Sequence, residues 1–187
     1  MIKSASSTVT RKMSHSPNKE VLLGVTGSIA AYKACELASM LVKSGLRVTP
    51  ALTSHAMQLI GPASFEAVTG QRAVTGLFDP IANADIEHVA IAQRVQLVII
   101  APATANILAK AAHGIADDWL STALLATRAP ILFAPAMNNL MYTHPATQAN
   151  IALLRERHCH FVGPDAGRLA CGAQGPGRMA EPAAILE

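Results

Sequence analysis

Short apolar runs alternate with amphipathic segments along this chain, and the alternation constrains its fold more than any other feature. Helical spacing of apolar residues follows each of the first four runs. The runs cover residues 21–25, 47–53, 97–101, 131–134 and 160–162, and the helical segments cover 28–45, 54–60, 104–112, 117–127 and 145–157. Strands that alternate with helices predict stacked βαβ units. We therefore predict an α/β fold, a three-layer sandwich around a parallel sheet, with Ser54 as the N-cap of the second helix.

Two stretches lack such periodicity. Residues 61–85 predict loops with one short helix, and residues 163–178 predict a loop because they hold five glycines and two prolines. No linker divides the chain, so we predict one domain over residues 20–187. Residues 1–19 are rich in Ser and Thr, and they predict a flexible tail. A transit peptide is the alternative, because the tail is basic and has no acidic residue.

Composition excludes several classes of protein. With 51% hydrophobic and 14% charged residues, the chain is not a disordered one. A net charge of +3, without clusters of basic residues, argues against a nucleic-acid partner. No apolar run reaches the length of about 20 residues that a membrane span needs. Three widely spaced cysteines predict neither a disulfide framework nor a metal site, and they favour a reducing, cytoplasmic location.

Small or polar residues follow four of the predicted strands, at positions 26–28, 53–54, 102–106 and 135–138. In an open parallel sheet, ligands bind beyond the carboxyl ends of the strands. A glycine and a hydroxyl at the first helix N-terminus favour a phosphate group, although an ordinary N-capped turn is the alternative. The segment is not GxGxxG, and no acidic residue follows the second strand. A mononucleotide such as FMN is therefore favoured over a dinucleotide.

Four segments of the sequence resemble the homo-oligomeric flavin-containing Cys decarboxylases. They are GSIAAYK at 27–33, APATAN at 101–106, PAMNNLMY at 135–142, and ACG at 170–172 followed by GPGRM at 175–179. The resemblance runs from about residue 21 to the end, and it implies a flavodoxin-like Rossmann fold with bound FMN. By the same resemblance, the FMN-lining residues are Gly27, Ser28, Ile29, Thr53, Ser54, Thr104, Ala105, Asn106 and Ala136.

The resemblance also implies an activity. It is the conversion of 4'-phospho-N-pantothenoylcysteine to 4'-phosphopantetheine and carbon dioxide in coenzyme A biosynthesis. The cysteine moiety is oxidised transiently, carbon dioxide leaves, and the enethiol is reduced again. Family members form trimers, or dodecamers built of trimers, with FMN at subunit contacts. In many bacteria the activity is the N-terminal half of a longer chain with a phosphopantothenate–cysteine ligase half, and the sequence is compatible with either arrangement.

Three residues carry the chemistry that the resemblance implies. His88 acts as a base or electrostatic partner near the substrate thiol, and Asn138 donates hydrogen bonds to the substrate carboxylate. Cys171, in the glycine-rich loop, protonates the enethiol during its reduction. Met141, Arg168 and Ala170 contact the substrate, and Arg178 is a further candidate for its carboxylate or phosphate. Without the resemblance, each of these has a plainer reading as a packing, turn or solvated residue. Cys35 and Cys159 are interpreted as packing residues.

Three other functions remain open from the sequence. A peptidyl-cysteine decarboxylase stops at the enethiol and needs no equivalent of Cys171. A flavin prenyltransferase of related fold is disfavoured by the segments at 135–138 and 170–172. A non-catalytic regulatory subunit on the same fold has no need of His88, Asn138 and Cys171 together.

Overall fold

A central parallel sheet orders the chain. A computed structural model of the protein describes residues 19–77, 87–170 and 172–187, and of residues 87 and 88 it describes the backbone alone. The sheet has the strand order β2-β1-β3-β4-β5, and all its pairings are parallel. Its strands are β1 (Glu20–Val25), β2 (Arg47–Leu52), β3 (Leu97–Ala103), β4 (Ile131–Pro135) and β5 (His160–Phe161). The strand order reverses between β1 and β3, and this reversal opens a crevice at the carboxyl edge.

Helices connect the strands and cover both faces of the sheet. They are α1 (Ala31–Lys43), α2 (Ser54–Met57), α3 (Pro62–Thr69), α4 (Glu87–Arg94), α5 (Ala105–His113), α6 (Trp119–Ala126), α7 (Asn139–Thr143), α8 (Pro145–Glu156) and α9 (Pro182–Leu186). The predicted α/β fold with a flavodoxin-like sheet is confirmed. The apolar stripe of α1 lies against the sheet as predicted, with Ala34, Leu37 and Leu41 at 2% exposure or less.

Two hydrophobic clusters lie on opposite faces of the sheet. Leu23 and Ile99 belong to one cluster, while their chain neighbours Leu22 and Ile100 belong to the other. Successive side chains of a strand point to opposite faces, so strands covered on both sides are apolar throughout. This double burial is the physical reason why the runs at 21–25 and 97–101 are uninterrupted.

An ion pair with a buried carboxylate anchors the amino edge of the sheet. Glu20 is 7% exposed at the start of β1, and both of its carboxylate oxygens accept hydrogen bonds from Arg94 at 2.9 Å. Thr49 on β2 donates to the same carboxylate at 2.9 Å. Burial alone would raise the pKa of Glu20, but these hydrogen bonds and the charge of Arg94 outweigh it and lower that pKa. The pair thus fixes α4 to the sheet, opposite the crevice.

Three sequence-based expectations about local structure are wrong. Thr53, rather than Ser54, caps α2 by accepting from the Ala56 N–H at 3.2 Å, and the helix ends at Met57 instead of residue 60. The third strand continues past Pro102 to Ala103. A proline cannot donate to a strand ladder, and the pairing with β4 shifts register there, so the strand passes the proline as an irregularity.

The third correction concerns residues 163–178, which form an antiparallel hairpin instead of a loop. Its strands are β6 (Asp165–Arg168) and β7 (Gln174–Arg178). Gly167, Gly175 and Gly177 have φ values of 155°, 150° and 148°, which side-chain-bearing residues rarely adopt. Glycine is usually depleted in strands, so strand propensity does not predict that these residues pair as strands.

Some predictions concern residues outside the part of the chain that the structure describes. These are most of the N-terminal tail, the side chain of His88, and Cys171. The backbone of residue 88 lies in the first turn of α4. Within the described residues, no helix is both long and apolar enough to cross a membrane.

Candidate functional site

A cavity of about 600 Å³ opens at the carboxyl edge of the sheet, where β1, β3 and β4 end. Its wall contains the turn after β1, the residue after β3, the segment between β4 and α7, and the hairpin. The described lining includes Gly27, Ser28, Ile29, Thr104, Ala136, Asn138, Met141, Arg168, Ala170 and Arg178. Crevices at this edge are the usual ligand sites of open α/β sheets.

The turn after β1 leaves backbone donors available to the cavity. The N–H of Ser28 bonds to the Thr26 carbonyl at 2.8 Å, whereas the N–H groups of Gly27 and Ile29 have no hydrogen-bond partner within the described residues. The helix that follows begins at Ala31 without a side-chain cap on its N-cap residue, and the Ser28 hydroxyl accepts from the Ala30 N–H at 3.4 Å in the turn before it. A Cβ at position 27 would lie 2.5 Å from the Cβ of His55, so only glycine fits between the turn and α2.

A buried threonine couples the ends of β1 and β3. Thr26 is 2% exposed, and its hydroxyl donates to the Pro102 carbonyl at 2.7 Å and accepts from the Thr104 N–H at 3.1 Å. Thr104 in turn caps α5 by accepting from the Ile107 N–H at 3.4 Å. One side chain therefore sets the spacing of two walls of the cavity.

Asn138 lies between β4 and α7 and is the N-cap of α7. Its Oδ1 accepts the Leu140 N–H at 2.8 Å and caps α7. An amide side chain donates through its nitrogen, which is the atom of Asn138 that suits a ligand carboxylate. The neighbouring Met137 donates its N–H to the Gly177 carbonyl at 2.9 Å, which joins this segment to the hairpin.

Charged side chains at the cavity come from α1 and the hairpin. Lys33 Nζ donates to Glu181 Oε1 at 2.7 Å, and Arg178 Nη2 donates to the same oxygen at 3.1 Å. Hydrogen bonding from Lys33, followed by its charge, lowers the pKa of Glu181, so this carboxylate is ionised at neutral pH. Arg168 lies on the other hairpin strand and is exposed.

Two of the predicted cofactor residues line a second, smaller cavity of about 260 Å³ and not the larger one. Thr53 and Ser54 line it together with Asp118 and Trp119. Burial would raise the pKa of Asp118, but hydrogen bonds from the Ser121 N–H and from the Lys110 ammonium lower it overall. Gly27, Ser28, Ile29, Thr104 and Ala136 line the larger cavity, and Ala105 and Asn106 form the first turn of α5 without appearing in either lining.

The remaining thiols of the described residues pack as the sequence suggested. Cys35 on α1 and Cys159 before β5 are free and partly buried, and burial raises the pKa of each. Neither is an activated nucleophile, because a raised pKa lowers the thiolate fraction at neutral pH. Among the described residues, no group of three His, Cys, Asp or Glu side chains could hold a metal ion.

Sequence reasoning missed Lys33 and Glu181 as a pair at this site. They lie 148 positions apart, so no local spacing reveals the contact. Lys33 lies in the segment 27–33 that carries part of the family resemblance, about one helical turn after the turn at Gly27. A cation at that position is a sequence signal that could have identified Lys33 as a site residue. Glu181 carries no such signal, because only the fold brings α9 beside α1.

Comparison with known protein families agrees with this architecture. A family model described as "Flavoprotein" matches residues 9–187. The chain belongs to the flavoprotein family. Among curated relatives, the coenzyme A biosynthesis bifunctional protein CoaBC of Bacillus subtilis is 45% identical over 91% of this chain, and that of Escherichia coli K12 is 45% identical over 90%. The chain spans 42% of the length of each of these relatives.

Solved structures of flavoprotein decarboxylases have the same fold. A PPC decarboxylase mutant complexed with pantothenoylaminoethenethiol superposes with a TM-score of 0.79 at 29% identity, covering 90% of this chain and 94% of that one. The FMN-dependent cysteine decarboxylase SpaF gives a TM-score of 0.76 at 36% identity, covering 89% and 94%.

Proposed function

We propose that this flavoprotein binds FMN and decarboxylates 4'-phospho-N-pantothenoylcysteine to 4'-phosphopantetheine. One observation carries the proposal: a single cavity brings the backbone donors of Gly27 and Ile29 together with Asn138 and with residues from both strands of the hairpin. The similarity to CoaBC and to PPC decarboxylase supports the choice of substrate.

The cavity residues fit FMN. The N–H groups of Gly27 and Ile29, which have no partner among the described residues and lie next to a helix N-terminus, suit a phosphate. A volume of about 600 Å³ lies within the range of cofactor pockets, about 300–1,000 Å³. Thr104 and Ala136 would line the cofactor from the ends of β3 and β4. When bound, FMN supplies the two-electron exchange with the substrate's cysteine moiety that makes loss of carbon dioxide possible.

The chain's own residues bind and orient the substrate. The amide nitrogen of Asn138 would hold the substrate carboxylate, and a fixed carboxylate keeps the scissile bond aligned. Met141, exposed to 49% beside it, would cover the substrate chain. We further propose that His88 transfers the proton at the substrate thiol and that Cys171 protonates the enethiol. A Cys171→Ser variant is then expected to release the enethiol, and wild type the saturated thiol.

We also propose that the protein works as a homo-oligomer, a trimer or a dodecamer of trimers. Ile29 and Tyr32 are each 66% exposed and Leu140 is 73% exposed, all on segments that border the cavity. Apolar groups so placed favour contact with another copy. Light scattering of the FMN-loaded protein tests this, and an active monomer would contradict it. Free thiols at Cys35 and Cys159 support a cytoplasmic location.

The decisive experiment uses purified protein and two substrates. We expect a yellow protein that releases carbon dioxide from 4'-phospho-N-pantothenoylcysteine and leaves a peptide with a C-terminal cysteine intact. A protein that stays colourless after incubation with FMN would overturn the proposal. Turnover of the peptide instead would identify a peptidyl-cysteine decarboxylase.

A further inference from the structure

All charged side chains among the described residues that line the larger cavity are cations. They are Lys33, Arg168 and Arg178. Lys33 comes from the first turn of α1, and the two arginines come from opposite strands of the hairpin. A cavity with cations alone in its lining attracts an anion, since low-dielectric walls concentrate their field.

Glu181 holds two of these cations close together at the cavity edge. One of its oxygens accepts from Lys33 at 2.7 Å and from Arg178 at 3.1 Å, and Glu181 is not part of the lining. The Lys33 side chain is only 16% exposed, so its position is well defined. Three cations against one carboxylate leave two positive charges, and Arg168 makes no ion pair within the described residues.

We propose that Lys33, Arg168 and Arg178 form the binding site for the terminal phosphate of the substrate. A phosphate monoester carries between about 1.5 and 2 negative charges at pH 7, which matches the excess charge of this cluster. Arginine offers paired donors that suit phosphate oxygens, and a lysine ammonium acts as a point charge. This inference rests on the proposed function, because it assigns the phosphate of that substrate.

The phosphate of FMN is the other phosphate that could reach these cations. The open N–H groups of Gly27 and Ile29 already provide a site for the cofactor. Two of the three cations instead belong to the hairpin that carries Ala170, one of the predicted substrate contacts. The cluster therefore serves the substrate, and it distinguishes phosphorylated from unphosphorylated pantothenoyl compounds.

The test compares two ligands that differ by one phosphate. Binding of 4'-phosphopantetheine and of pantetheine to the FMN-loaded protein is measured by calorimetry, and turnover of the two cysteine-containing substrates is measured in parallel. Wild type is expected to bind the phosphorylated ligand more tightly. Arg168→Met, Arg178→Met and Lys33→Met should each weaken its binding about 10- to 100-fold and change pantetheine binding by less than about twofold.

Matched controls remove the same charge elsewhere. Lys43→Met changes an exposed lysine about 15 Å further along the same helix, and it should leave both affinities unchanged. Arg168→Met carries the least risk of misfolding, because Arg168 is exposed and unpaired within the described residues. FMN affinity, followed by flavin fluorescence, is measured for every variant.

Each outcome has one meaning. A selective loss of phosphorylated-ligand binding supports the site. Equal losses for both ligands, weaker FMN binding in the variants, or a wild type that does not distinguish the ligands would overturn it. A protein that binds 4'-phosphopantetheine selectively but turns over neither substrate would refute the proposed reaction while supporting the phosphate site.

Discussion

The backbone N–H of Met137 donates to the carbonyl oxygen of Gly177 at 2.9 Å, and this bond seats the C-terminal hairpin on the segment that carries Asn138. The approach is so close that a Cβ at position 177 would lie 2.2 Å from the Met137 carbonyl oxygen. A backbone carbonyl cannot move aside as a side-chain end can. The hairpin and the Asn138 segment consequently act as one wall of the cavity.

Replacing Gly177 by alanine should separate these two parts of the wall. The expected result is a loss of at least about tenfold in kcat/KM, together with destabilisation of about 1–3 kcal/mol from clash and strain. Steady-state kinetics and thermal unfolding measure the two effects. Gly45→Ala is the matched control: its φ of 89° also disfavours alanine, but no atom lies within 4 Å of the added Cβ and Gly45 does not line the cavity. Equal effects of both substitutions would show that the contact with Met137 does not matter.

Two substitutions at Asn138 should separate its structural role from its chemical one. Asn138→Asp keeps an oxygen that can accept the Leu140 N–H but loses the amide donor, whereas Asn138→Ala loses both. Both variants should lose about 100-fold in kcat/KM, since an aspartate also repels the substrate carboxylate. Only the alanine variant should lose helix-capping stability, about 1 kcal/mol by chemical denaturation. An aspartate variant with near wild-type kcat/KM would contradict the assignment.

The ion pair of Glu20 and Arg94 should make stability depend on pH in the acid range. Since the folded state lowers the pKa of Glu20 below its usual value of 4.5, the pair stabilises the fold fully above that pH. The contribution is lost as pH falls through the lowered pKa. Denaturant unfolding measured from about pH 7 down to about pH 3 should show this loss in wild type.

Arg94→Met should remove that stabilisation and leave a buried carboxylate without its main partner. We expect the free energy of unfolding to fall by about 1–3 kcal/mol at pH 7. This is less than the loss expected on breaking a fully buried ion pair, because Arg94 is about half exposed. The difference from wild type should shrink toward low pH. Glu156→Gln, which removes an exposed carboxylate on α8, should change stability by less than about 0.5 kcal/mol. A pH-independent difference between Arg94→Met and wild type would contradict the role of the pair.

His158 follows α8 with a φ of 62°, which is unfavourable for a residue with a side chain. Glycine is the usual residue at this position after a helix. His158→Gly should therefore stabilise the protein by about 0.5–1 kcal/mol, measured by chemical denaturation. His160→Gly, two residues later in β5, should destabilise it instead, because glycine weakens a strand.

Most of the fold could be predicted because the sheet is buried on both faces. Runs such as 97–101 leave no polar position, and the stripe of α1 has regular helical spacing. The hairpin could not be predicted in this way. Its glycines occupy backbone conformations that propensity scales for strands do not describe, and its position in the fold depends on the contact between Gly177 and Met137.

The candidate site, like the fold, could be predicted only in part. Strand ends can be located from the sequence, so the turn at Gly27 and the position of Asn138 were predictable. That Thr53 and Ser54 line a second cavity depends on how α2 packs, and that packing involves His55 against Gly27. Resemblance to a family predicts candidate site residues, but it does not say which of them share a cavity.

The contact between Lys33 and Glu181 joins residues 148 positions apart. During synthesis the sheet strands β1 to β4 leave the ribosome well before the hairpin and α9 do. The cavity thus acquires its last wall and its cation cluster only when almost the whole of this sequence has been made. A nascent chain that ends before the hairpin would contain the turn at Gly27 but neither the hairpin cations nor Glu181. Synthesis of the C-terminal segment is therefore the step that completes the cavity wall.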